Sequence, residues 1–188
     1  MKYSTISLAA LLATGALHAG VYTIDPAHSN VGFKVKHVMI SNVVGKFDTF
    51  NGIIEYDEAT KTLKKLTGTI AANSVNTANA QRDTHLKSAD LFDVAKFTDI
   101  TFSLDKAEKG YAYGKLTIHG ITKDVKLSLE DNGLITDAWG NQRIGLELKG
   151  VIQRKDFGIT WNKILETGGL TVGEDVKLDV ELEGILKK

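Results

Sequence analysis

Apolar side chains recur at every second position along most of this chain, and that alternation constrains the fold more than any other feature. A period of two places successive side chains on opposite faces of an extended strand. Val31, Phe33, Val35 and His37 alternate with Gly32, Lys34 and Lys36. Phe50, Gly52, Ile54 and Tyr56 keep one phase, and a bulge is expected before them to bring Phe47, in the opposite phase, to the same side. Further runs are Leu66 to Ala72, Ile100 to Ala107, Tyr111 to His119, Val125 to Leu129, Ile144 to Ile152 and Val176 to Leu182. A short strand from Val21 to Asp25 stops at Pro26, the single proline.

The connections read as tight turns at Glu108 to Gly110, His119–Gly120 and Asp131 to Gly133. The alternation predicts about eight strands, and apolar faces on that many strands must be covered by a second sheet or by closure into a barrel. A barrel of this size is just wide enough to be filled by side chains or to hold one slender ligand. Glycines at positions 32, 52, 68, 114, 145 and 150 suit the bends of a closed sheet without showing that it is hollow.

One stretch breaks the pattern, SVNTANAQRDTHLKSADLFDVAKFTDITF from Ser74 to Phe102. Arg82, His85, Leu86 and Ala89 fall on one face of a helix, which predicts a short helix starting near Asn76 or Thr77 and covering one end of the sheet. A second aperiodic stretch, DFGITWNKILETGGLTVGED, reads as a long loop of the kind that is usually functional or mobile.

Composition narrows the class. The chain has 188 residues, 43% of them hydrophobic, and its 23 basic and 23 acidic residues cancel. That fits one globular domain and argues against nucleic acid as a partner. Residues 1–19, MKYSTISLAALLATGALHA, have one positive charge followed by an uncharged apolar run too short for a comfortable membrane span. This is the layout of a secretory signal peptide, leaving residues 20–188 as a single domain with no stable membrane insertion. There is no cysteine, so the domain holds together without disulfides and carries no lipid-modified cysteine. A bacterial signal would make the destination the periplasm.

The run from Ser74 to Phe102, together with GKLTIHGITKDV, DAWGNQRIGLELKGVIQRKDFGITWN and LETGGLTVGEDV, resembles the YceI-like family of periplasmic, lipocalin-like proteins. The similarity extends from Tyr22 to about Glu183. It implies an all-β fold with one short inserted helix, an extended eight-stranded antiparallel barrel. It also implies a lumen that holds a polyisoprenoid or another long-chain amphiphile, such as an isoprenoid quinone, a fatty acid or its amide, for sequestration or transport. Family members often carry proline where this chain has Thr98.

A lumen of that kind needs apolar walls and a few polar atoms at its mouth. The inward phases offer Phe33, Val35, Phe50, Ile54, Ile70, Phe102, Leu146 and Leu148, with His37 at the end of one phase. Alternation alone leaves a filled core equally open, and only the resemblance favours a cavity. Candidates at the mouth are Arg82, His85, Phe92, Phe157, Trp161 and Asn162. The guanidinium of Arg82 and the ring of His85 could take a phosphate or carboxyl head group. Alternatively Arg82 pairs with Asp90 or Asp93 and pins the helix, and the indole of Trp161 plugs the barrel end.

An enzyme is not expected, and no cofactor or metal is implied. His28, His37, His85 and His119 lack the spacing of a zinc helix motif, and there is no G-x-S-x-G elbow, P-loop or cysteine nucleophile. The competing reading is a scaffold with a filled interior that binds a protein through the loops Asp137 to Arg143 and Thr160 to Gly173. An edge strand in an imperfectly closed barrel could pair with its twin to give a homodimer.

Overall fold

The computed structural model describes residues 19–166 and 168–187, so the proposed signal peptide lies, apart from Ala19, outside the described residues. The first strand, β1 (Gly20–Ile24), ends where Pro26–His28 form a single 3-10 turn, and the chain resumes as β2 (Asn30–His37). It returns through β3 (Ser41–Phe47) and β4 (Phe50–Asp57), then β5 (Thr62–Ala71). After the two-residue β6 (Val75–Asn76) and the helix α1 (Ala80–Lys87) come β7 (Asp99–Glu108), β8 (Tyr111–Ile118), β9 (Ile121–Thr136), β10 (Gln142–Gln153) and β11 (Val172–Leu186).

These strands close into an antiparallel barrel of eight staves. Two staves are each made of two strands, β1 with β2 and β3 with β4, because β11 pairs with β2 along Val172 to Glu181 and with β1 along Gly184 to Leu186. On the far side β3 pairs with β2 and β4 with β1. The ring continues β4, β5, β7, β8, β9, β10, β11 and shuts on β1. Among the described residues β1 therefore has a neighbour on both edges, which closes the ring.

The turns follow local chemistry in most places. Lys109–Gly110 and His119–Gly120 each take two positive φ angles in succession, as a two-residue hairpin matched to strand twist requires. Asp131 to Gly133 is not a turn. The register moves from Gly145 opposite Gly133 to Leu146 opposite Asp131, so Asn132 is the extra residue of a bulge, with Gly133 at φ +84°. The chain reverses later, at Asp137 to Asn141, where the Asp137 carboxylate accepts from the Trp139 and Asn141 amides. Between Phe47 and Phe50 the strand breaks instead of bulging, because Asp48 and Thr49 bond to Ser74. Both phenylalanines are nonetheless buried.

The helix begins four residues beyond Asn76. Its cap is Asn79, whose side chain accepts from the Arg82 amide, while Asn76 and Thr77 are occupied otherwise. Asn76 bonds to Asp48 and to the Ala78 amide, and the Thr77 amide and hydroxyl donate to Asp83.

Two apolar clusters occupy the two ends of the barrel. At the end holding the 109–110 and 137–141 turns, Tyr22, Ile54, Tyr56, Ile144 and Leu146 are essentially fully buried. They meet across Gly184, where a Cβ would lie within 3.2 Å of Tyr22, Ile144 and Ile54. The buried tyrosines end on carboxylates at the rim, Tyr22 donating to Glu58 at 3.0 Å and Tyr56 to Asp131 at 2.5 Å. At the other end Phe47, Val75, Leu91, Ile100, Leu116, Ile152, Phe157 and Ile159 pack beneath α1 and the 154–171 segment.

Candidate functional site

Between the two clusters the barrel is hollow. A cavity of about 200 Å³ runs inside it, walled by β2 (Val31, Phe33, Val35), β5 (Leu66, Ile70), β7 (Ile100, Phe102), β8 (Leu116, Ile118), β10 (Leu148, Ile152) and β11 (Val176, Leu178, Val180, Leu182). Phe50 joins from β4 and Leu127 from β9. Leu86 from the helix, Leu91 and Phe92 after it, and Phe157 and Ile159 close the sides at the helix end. The cavity is blind at the other end, where Tyr22, Tyr56, Ile54, Ile144 and Leu146 leave no room. Gly45 makes space for the wall itself, since a Cβ there would collide with the Phe33 ring.

Of the lumen residues expected from the alternation, Phe33, Val35, Phe50, Ile70, Phe102 and Leu148 line this cavity. Ile54 and Leu146 do not: they point inward but belong to the packed floor, 0% and 1% exposed. His37 is exposed at the tip of β2, beyond the cavity. Alternation reports which face a residue takes and says nothing about how far along the barrel the space extends.

The mouth candidates divide similarly. Phe92 and Phe157 line the cavity. Among the described residues Arg82 neither pairs with Asp90 or Asp93 nor lines the cavity; its Nε and one terminal nitrogen donate to the hydroxyl and carbonyl of Thr77 at 2.7 and 2.8 Å. His85 lies 3.3 Å from Asp90 and meets Trp161 edge to face, ring centroids 4.6 Å apart. Trp161 is half-buried against the upper cluster, so it covers that cluster and does not plug the barrel. Asn162 clamps the loop to β11 by donating to the Val172 carbonyl and accepting from the Val172 amide.

One polar residue in the wall had no signal in the sequence. Arg154 is 7% exposed, and its guanidinium donates to the carbonyls of Gly173, Ile159 and Trp161 at 2.8 to 2.9 Å, with a longer contact to Val172. Burial pushes its pKa down, opposed by Glu174, yet the ordinary value is so high that it stays charged. Because neutral carbonyls occupy its donors, it ties the loop to β11 and shows the lumen mainly its aliphatic stem. In sequence an arginine after Gln153 reads as a solvated strand end. The wall residues Val176, Leu178, Val180 and Leu182 were legible as one strand phase; the pairing of the first three with β2 was not.

The cavity thus offers dispersion and the exclusion of water, with no reactive group in its wall. Each buried CH2 contributes roughly 0.8 kcal/mol, so about ten tail carbons would contribute about 8 kcal/mol, the micromolar range. Of the four histidines among the described residues, His28 pairs with Asp25, His85 with Asp90 and Trp161, and His119 stacks on Phe97, while His37 is exposed. Asp25, His28 and Glu183 come close enough together to hold a cation, but Arg143 already donates to both carboxylates.

Comparison with known proteins gives a consistent answer. The YceI-like domain family model matches residues 22–184. The UPF0312 protein SA2479 of Staphylococcus aureus strain N315 is 40% identical over 163 residues, 86% of this chain and 95% of that protein. The crystal structure of a YceI protein from Campylobacter jejuni is similar at 40% identity and a TM-score of 0.70, over 87% of this chain and 96% of that one. A polyisoprenoid binding domain from Saccharophagus degradans shares the fold at 18% identity and a TM-score of 0.69, over 88% of this chain and 98% of that one. The chain belongs to the YceI-like family.

Proposed function

We propose that this protein is a non-enzymatic carrier that holds the tail of a long-chain isoprenoid or acyl lipid in its barrel, acting in the periplasm after removal of residues 1–19. The observation that carries this reading is the composition of the cavity wall. Apart from Asn51, Arg154 and two glycines, every residue around the cavity is apolar. An empty apolar cavity leaves its lining without dispersion partners, a loss that a hydrocarbon tail makes good and water does not. The packed floor supports tail-first entry from the helix end, with the head group left near α1 and the Trp161 loop. The Saccharophagus domain, described as binding polyisoprenoid, lends the ligand class by fold likeness.

The test is native mass spectrometry of the protein as expressed, with solvent extraction of whatever it holds. A retained isoprenoid or acyl lipid, or stoichiometric uptake of an added isoprenoid, is the expected result. A clean apo mass with no uptake would leave the filled scaffold as the better account. Export is tested separately, by the mass of the processed chain in a periplasmic fraction.

A further inference from the structure

Large apolar side chains stand in water at the cavity end of the barrel. Met39 and Ile40, in the turn between β2 and β3, are 60% and 84% exposed, and Ile164 in the neighbouring loop is 83% exposed. The two segments form one tip. The Val38 amide donates to the Thr171 carbonyl at 2.8 Å, the Thr171 amide to the Lys163 carbonyl at 3.0 Å, and a Cβ on Gly169 would touch the Met39 side chain at 3.6 Å. The turn is also held in an unfavourable backbone state, with Val38 at φ +43° and Met39 at φ +65°. A β-branched residue rarely adopts such an angle without a compensating constraint.

We propose that this tip is the surface by which the protein docks on a lipid bilayer, inserting Met39, Ile40 and Ile164 among the head groups while the barrel mouth faces the membrane. The idea rests on the carrier reading above, and its arguments are positional. The tip continues directly from the cavity wall, since Val35 and Val172 line the cavity while His37 pairs with Val172 and leads into the turn. A tail leaving the cavity at this end would be shielded from water only if a bilayer lay there. The apolar residues protrude from two narrow turns, a shape suited to entering the head-group layer and poorly suited to a flat protein partner. Exposed Lys34, Lys36 and Lys163 lie on these segments, against Glu166 in the same loop and Asp175 on β11, while Lys155 and Glu174 pair with each other, so a small positive excess favours anionic lipid. Trp139, also exposed, sits on the opposite end and plays no part.

The experiment uses the chain from Gly20 onward, which contains every described strand of the barrel and omits the apolar residues 1–19, which would themselves bind vesicles. It is sedimented with vesicles of phosphatidylcholine, or of phosphatidylcholine with phosphatidylglycerol, and uptake of a fluorescent fatty acid is measured in parallel. The parent chain should pellet with vesicles, more with the anionic ones. The Met39→Ser, Ile40→Ser double variant and Ile164→Ser should each weaken pelleting, the double variant by about tenfold or more. Fatty-acid uptake in solution should be unchanged in both, and Trp139→Ser should pellet like the parent. Failure of the parent chain to pellet, pelleting of the tip variants equal to the parent, or loss of pelleting only in Trp139→Ser would each overturn the proposal. So would a change of oligomeric state in the tip variants, which would make the tip a contact between copies. Loss of uptake in the parent chain with pelleting retained would instead sink the carrier reading on which the proposal stands.

Discussion

His85 and Trp161 meet edge to face with ring centroids 4.6 Å apart, joining the inserted helix to the loop that precedes β11. The two residues are far apart in sequence, and the segments that carry them also supply Leu86 and Phe157 to the cavity wall at the helix end. The contact is therefore a latch between the two segments that cover the hollow end. An aromatic pair of this kind contributes about 1 kcal/mol. His85→Ala should lower global stability by no more than about that amount, while amide exchange accelerates in α1 and in residues 160–166. Equal protection of both segments in the variant would show that the latch carries nothing.

Arg154 should be far less tolerant. Its guanidinium serves four carbonyls, three of them at good distance, from Ile159, Trp161, Gly173 and Val172. Arg154→Met leaves those acceptors to find other donors, at about 1 to 3 kcal/mol for each that stays buried. Urea unfolding should show a loss of about 3 kcal/mol or more. Arg154→Lys should recover only part of it, because one ammonium cannot span the same acceptors. A loss below about 1 kcal/mol in Arg154→Met would mean the loop is held by other contacts.

The hollow and packed regions should respond oppositely to added volume. Val176→Phe places a ring where the wall faces free space, and should cut lipid uptake by about tenfold or more at a stability cost near or below about 1 kcal/mol. Leu146→Phe adds volume to the filled floor, where overpacking costs typically about 1 to 3 kcal/mol, with little direct effect on the tail site. Calorimetry and uptake on both variants decide it; the same pattern from the two would place the boundary of the cavity elsewhere.

The Arg143 cluster sets an acid dependence. Hydrogen bonding from Arg143 holds the Asp137 carboxyl well below the usual range, with the Asn141 and Trp139 amides adding to it. Asp25 is lowered mainly by His28, and further by Arg143. A depressed carboxylate pKa gives stability that is complete above the unfolded value, about 4, and is lost as pH falls through the folded value. Arg143→Gln should therefore melt lower than the parent at neutral pH, with the gap closing below about pH 4. A gap that stayed constant into strong acid would show that Arg143 acts through packing alone.

Much of this protein was written in its alternation. Period-two patterning, a lone proline and paired turn residues determined the all-β class, the strand phases, the two-residue hairpins and the single interruption by a helix, because each depends only on neighbours within a few residues. The same local logic misplaced the turn at Asp131 to Gly133, since D-N-G suits a bulge as readily as a reversal and the partner β10 decides between them. It could not separate Leu148, on the cavity wall, from Leu146, in the floor, although the two share a phase two residues apart. That difference arises from what faces them across the barrel. Leu146 and Ile54 belong to the cluster that Tyr22, Tyr56 and Ile144 pack to full burial, while the space bordered by Leu148 is left free. Arg82 donates to Thr77 in place of the expected acidic neighbour or head group, and Arg154 had no role legible in the sequence, because a guanidinium takes whatever acceptors the folded chain brings within reach. Sequence determined which side chains turn inward; only the closed ring of strands decided where they touch each other and where they leave a gap.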